Sequence, residues 1–216
     1  MTALKGFRIL ELAETGAGEY CGKLLADFGA EVIKVEKPGV GSPTRRMGPF
    51  ANGGSDPERS GLFAYLNTNK HSVALDLASA EGAAALSKLL NHVDVVVDDH
   101  DAVWLRNLGL APEDVQERWP ALVLCSITPF GFDDPMVAED INVFHSSGWG
   151  FHTPSGGNNS LPPLKGPGRF TVSYEAALDA ALCVVAALFE REQSCEGQFI
   201  DISKQAVMAS RKRCCS

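Results

Sequence analysis

An α/β fold with a mostly parallel sheet and helices on both faces is what this sequence predicts, and three observations carry the expectation. Short runs rich in Val, Ile and Leu recur along the chain, helical patterns separate them, and the runs are nearly continuous in apolar residues instead of alternating with polar ones. Strands covered on both faces have this composition, and parallel strands need crossovers of about helix length. At 216 residues and 45% apolar, the chain can bury a sizeable core as one large domain or two small ones.

The first strand is expected over residues 8–12, where RILEL precedes the turn AETGAGEYCG. A helix over 19–28 follows, with Leu24, Leu25 and Phe28 at helical spacing, and a second strand occupies 31–36. The glycines Gly16 and Gly18, followed by the acid Glu36, are arranged much as in a dinucleotide-binding turn. Cys21 stands where that fingerprint has its third glycine and Lys37 directly follows the acid, so a nicotinamide-type oxidoreductase is the weaker reading. Further strands are expected at 72–77, 93–98, 122–128 and 198–202. A helix over 79–90 starts at the N-cap candidate Ser79, and the longest helix covers 174–191. Two Gly- and Pro-rich segments, 37–61 and 153–168, are loops long enough to suggest function. There is no internal repeat.

A net charge of −8 argues against a general nucleic-acid or membrane-surface role, which needs a broad excess of Lys and Arg. The N-terminal MTALKGFRILEL has neither a signal core nor a small-residue cleavage site, and no uniformly apolar run reaches membrane-spanning length, so a cytoplasmic protein is expected. The six cysteines show no zinc-ligand spacing; reduced thiols are expected, with Cys125 and Cys183 in the core. The tail ends in Cys214 and Cys215, and Arg213 occupies the place that prenylation would require to be cysteine. No bound metal is expected: Asp98-Asp99-His100-Asp101 is acidic, but adjacent residues on a short turn seldom converge on one ion.

Five phrases in order then carry a resemblance. They are LLADFGAEVIKVEKPGVGSPTR (24–45), NTNKHSVALDL (67–77), VDVVV with LGL (93–110), LVLCSITPFG (122–131) and LFEREQSCEGQFIDIS (188–203). Together they are similar to the family III CoA-transferases of the CaiB/BaiF type, which include carnitine and formyl-CoA transferases and α-methylacyl-CoA racemases. The resemblance implies a Rossmann-like large domain over residues 1–203, with 204–216 beginning a linker helix and tail. It implies coenzyme A or an acyl-CoA as substrate, with no permanently bound cofactor, a carboxylic acid as second substrate, and a homodimer of interlocked rings in the full-length form. The chain has about half the family's usual length, so the small domain and the returning segment would be missing.

The resemblance also assigns residues. The turn Gly16, Ala17 and Gly18 would approach coenzyme A through backbone amides and a helix N-terminus, and Lys37, Arg45 and Lys70 would supply cations for its phosphates. The family's nucleophile is an aspartate that attacks the acyl-CoA carbonyl, forming an anhydride and then an enzyme-CoA thioester. Counting back from LFERE, that position is Ser173. Ser173 lacks the charge and would be a nucleophile only with a base beside it; otherwise it is read as an N-cap of the long helix. The racemase branch places a histidine before Asp-Ile-Asn, where this chain has Glu139; His145 and His152 are close by in sequence. Transfer weaker than in an active family member is therefore expected, with a non-catalytic CoA-binding protein or the inactive half of a duplicated transferase as the alternative.

Overall fold

The structure is a computed structural model, and it describes residues 2–152, 166 and 168–211. The expected loop over 153–168 and the cysteines at 214 and 215 therefore lie almost wholly or wholly outside the described residues. Six strands form one parallel sheet: β1 (Arg8–Glu11), β2 (Glu31–Glu36), β3 (Lys70–Ala74), β4 (Val95–Asp98), β5 (Val123–Thr128) and β6 (Phe199–Ser203), in the order β3-β2-β1-β4-β5-β6. The register runs through Ile9, which pairs with Val32 on one side and Val95 on the other.

Helices cover both faces, as the continuous apolar strands require. Strand residues alternate between two cores. Ile9, Val95, Val97, Val123, Cys125 and Ile127 face α1 (Gly16–Asp27) and α8 (Thr171–Ser194), while Leu10, Val96 and Leu124 face α3 (Ala80–Leu90), α4 (Ala102–Asn107) and α5 (Pro112–Arg118). Cys125 is buried as expected, and Cys183 packs half-buried at the edge of the first core. A third, smaller core joins α6 (Asp140–Ser146) to α8 and α9 (Lys204–Ser210) through Val143, Phe144, Val172 and Met208, with Trp149 of the short α7 (Trp149–His152) packed against it.

Three details differ from the sequence reading. The third strand begins at Lys70, earlier than expected, because β2 continues its hydrogen-bonded pairing from Val32 to Lys70 regardless of the polar composition of KHS. The loop after β2 is not featureless: 3-10 turns at Pro43–Arg46, Ala51–Gly53 and Pro57–Arg59 lead into the short α2 (Gly61–Leu66), whose N-cap Ser60 accepts from Phe63 N. Finally, α8 is long and apolar enough to span a bilayer by length and composition, with a mean hydropathy of 1.7 over 18 residues. Half of that window is buried in the fold, where Ala176, Ala177, Ala180 and Val184 let the helix lie close on α1 and β5. Leu178, Leu182, Val185 and Phe189 form an exposed stripe on its other side.

Candidate active site

The strand order reverses between β1 and β4, and the loops leaving the carboxyl ends of these two neighbours diverge to opposite faces. In doubly wound sheets this crevice is where ligands bind. A cavity of about 660 Å³ opens there, lined by residues 14–16 after β1, by 99–101 after β4 and by most of 127–141 after β5, with Arg169, Ser173 and Lys204 at one end. Its size suits a small-molecule or cofactor site. Of the glycine turn, Gly16 faces the cavity while Ala17 and Gly18 are buried beneath it.

The anion-binding end of α1 is already occupied, by a side chain of the protein. Asp99 accepts from Glu14 N (2.9 Å), Thr15 N (3.0 Å), Thr15 Oγ1 (2.5 Å) and Gly18 N (3.1 Å). A carboxylate in this nest stands where a pyrophosphate would sit in a dinucleotide-binding turn. Burial pushes its pKa up, but the neighbouring His100 and these donors outweigh that and hold it below the usual carboxylate value. Gly18 is glycine because the turn closes on it: a Cβ there would come within 2.2 Å of Ala13 Cβ.

The other carboxylates of the DDHD turn are likewise committed to the fold. Asp101 caps α4 by accepting from Trp104 N at 2.8 Å, and the buried Asp98 bonds the His100 ring at 2.7 Å. No metal-binding cluster forms among the described residues. His100 lies flat on Trp104, ring centroids 3.7 Å apart, with Glu14 at 3.7 Å from Nε2. Burial lowers its pKa, yet the bonds to Asp98 and Glu14 and the charge of Asp99 prevail and raise it to about 10. A raised histidine stabilises the fold fully below its free value of 6.5 and loses that contribution as pH climbs toward about 10. His100→Asn is therefore expected to flatten the decline of thermal stability across that window, and parallel pH profiles for the two proteins would contradict it.

Ser173 is not the N-cap of α8. The helix starts at Thr171 after the cap residue Phe170, so Ser173 occupies its third position, and its free amide needs a partner. Asp140, on the first turn of α6, supplies it: Ser173 N donates to Oδ2 at 3.0 Å and Ser173 Oγ to Oδ1 at 2.9 Å. Lys204, at the start of α9, points its ammonium at both, 3.2 Å from Ser173 Oγ and 3.4 Å from Asp140 Oδ1. Sequence reasoning noted Asp140 only as part of a phrase lacking its histidine, and overlooked Lys204 in the apolar context SKQAVM. His145 packs edge-on against Phe144, and the side chain of His152 lies outside what is described.

The three expected phosphate cations have different surroundings. Lys37 is exposed after β2. Arg45 grips Glu36 through two bonds of 2.7 and 3.0 Å, reaches Glu58 and stacks over Phe63. Burial alone would raise the Glu36 pKa, but Arg45, Ser72 and the Ser42 amide bring it down to about 2. Lys70 is turned inward: its side chain is 2% exposed, 2.7 Å from Glu11 Oε2, and donates to Glu19 O and Asn67 Oδ1. With Lys34, which bridges Glu11 at 3.0 Å and Glu19 at 2.9 Å, it forms a buried set of alternating charges under α1. Ser42 and Thr44 close this set by donating to Glu19, which ties the loop after β2 to the helix that carries Gly16.

Comparison with known proteins finds a family for the chain. The description CoA-transferase family III matches residues 4–212. Among curated proteins, the succinyl-CoA–D-citramalate CoA-transferase of Chloroflexus aurantiacus is 37% identical over 204 residues, covering 92% of this chain and 48% of the relative. The succinyl-CoA:mesaconate CoA-transferase of Haloarcula hispanica is 34% identical over 217 residues, 97% of this chain and 54% of the relative. A CAIB/BAIF family protein from Brucella suis superposes with a TM-score of 0.83 at 30% identity, over 97% of this chain and 55% of that one. The chain thus spans about half the length of the curated relatives it matches.

Proposed function

This chain belongs to CoA-transferase family III, and from that premise we propose that its crevice binds the CoA thioester of a short dicarboxylic acid and serves CoA transfer to a second carboxylic acid. The observation that carries the reading is the crevice itself, which opens at the β1/β4 reversal and ends at the cluster of Asp140, Ser173 and Lys204. Succinate, citramalate and mesaconate, named in the relatives, are dicarboxylates, and Arg169 and Lys204 put two cations at the cluster end to meet such groups. Coenzyme A passes the Gly16 turn with its phosphates toward Lys37, while Lys70 and Arg45 act from behind by fixing α1 and the loop after β2. Such a protein works in the cytoplasm, where CoA thioesters are dissolved, and pairs with a second copy in its full-length form.

Ser173 does not act as the nucleophile in this reading. It is 3% exposed, uncharged, and its hydroxyl hydrogen is committed to Asp140. That same observation favours a second reading, CoA binding without transfer. Calorimetric titration with succinyl-CoA is expected to show saturable binding at one site, and an absence of saturation overturns both readings. Exchange of labelled succinate into succinyl-CoA then separates transfer from binding alone.

A further inference from the structure

We infer that Asp140 supplies the nucleophilic carboxylate of this chain, from a different element than the one that carries it in the family. The inference rests on the transfer reading above and names the residue that performs its covalent step. Three observations converge on it. The Asp140 side chain retains 17% of its exposure, whereas Ser173 is 3% exposed. Asp140 lines the large crevice and also an adjoining cavity of about 460 Å³ bounded by Phe144, Arg169 and Val172, so it stands where the two spaces meet. Its Oδ1 lies 2.9 Å from the Ser173 hydroxyl, so the carboxylate stands directly beside position 173.

The surroundings suit a carboxylate that must attack and then leave. Lys204 at 3.4 Å from Oδ1 and the Ser173 amide at 3.0 Å from Oδ2 orient the carboxylate, and the oxygen that is not acylated keeps its donor. A carboxylate needs no separate base, which agrees with a cluster whose hydroxyl and ammonium are both donors to Asp140. An Asp140 oxygen attacks the thioester carbonyl, the C–S bond breaks, and CoA thiolate leaves a mixed acyl-aspartyl anhydride. The thiolate attacks the aspartyl carbonyl and expels the donor carboxylate, leaving an aspartyl-CoA thioester. The acceptor carboxylate attacks that thioester and releases CoA thiolate, forming a second anhydride. Attack of the thiolate on its acyl carbonyl gives the new acyl-CoA and restores Asp140. No proton is gained or lost.

The test traps the intermediate in the full chain. Succinyl-CoA binding is first measured by titration; the complex is then quenched with hydroxylamine, which converts an anhydride or thioester of aspartate to a hydroxamate, and the site is mapped by tandem mass spectrometry. A substrate-dependent hydroxamate at Asp140 is expected. It persists in Ser173→Ala and disappears in Asp140→Asn, whose exchange rate falls at least about a thousand-fold, as for loss of a covalent nucleophile. Bound succinyl-CoA with no modification at Asp140, or an acyl group mapped to Ser173 in an unquenched sample, overturns the inference while leaving the binding site intact. Failure to bind succinyl-CoA overturns the transfer reading and this inference with it.

Discussion

Lys34→Met is expected to remove most of the stability of the fold, by about 3–5 kcal/mol, the range for removing one partner of a buried ion pair. Lys34 is 1% exposed in the second strand of a parallel sheet, and Glu11 and Glu19, both fully buried, approach its ammonium at 3.0 and 2.9 Å. Burial disfavours its charge, yet the two carboxylates more than compensate and raise its pKa. Without Lys34, the two glutamates would have Lys70 as their only nearby ammonium among the described residues, and Ala13 O would lose its bond of 2.8 Å. One of the acids must then take up a proton or draw in water, and the turn that presents Gly16 loses its support from below. Urea unfolding measures the loss; a change smaller than about 1 kcal/mol would show that the buried charges are individually replaceable.

Asp99→Ala is expected to cost about 2–4 kcal/mol and to create an anion site. The substitution frees the amides of Glu14, Thr15 and Gly18 together, and unsatisfied donors cost about 1–3 kcal/mol each when water cannot reach them. The cavity beside the turn lets water reach part of the nest, which keeps the total below the simple sum. Because the folded-state pKa of Asp99 lies below its ordinary value, its contribution is present above the unfolded value of 3.8 and fades as pH falls through the folded one. The gap between wild type and variant should therefore narrow in acid. Sulfate offers a second readout: it should raise the unfolding temperature of Asp99→Ala and leave wild type nearly unchanged, since only the variant has a vacant nest. Equal responses to sulfate would mean that Asp99 does not fill an anion site.

Much of the fold was legible in the sequence because two-sided burial leaves a plain mark. Runs such as VDVVV and LVLCSIT show no apolar–polar alternation, and alternating with helical segments they fit covered parallel strands. The start of β3 was harder to place, since KHS carries no apolar signal and is held by its pairing with β2. In the site, the positions at loops were legible and the partnerships were not. The Gly16 turn announced a strand-to-helix junction, but nothing in it reveals that Asp99, 81 residues after Gly18, fills the nest. Lys70 reads as a surface cation in NTNKHS; only the fold turns it onto Glu11. Asp140, Ser173 and Lys204 come from three helices with separations of 33 and 31 residues, and spacing rules within one helix cannot bring such residues together.

Binding of a CoA thioester in the β1/β4 crevice is tested most directly by hydrogen-deuterium exchange of the full chain with and without succinyl-CoA. Protection is expected in peptides covering residues 14–18, 99–103 and 128–141, which line or adjoin the cavity, with unchanged exchange in α3 on the far side of the sheet. Unaltered exchange in all three segments at saturating ligand, or protection confined to α3 and its neighbours, would contradict the crevice as the site.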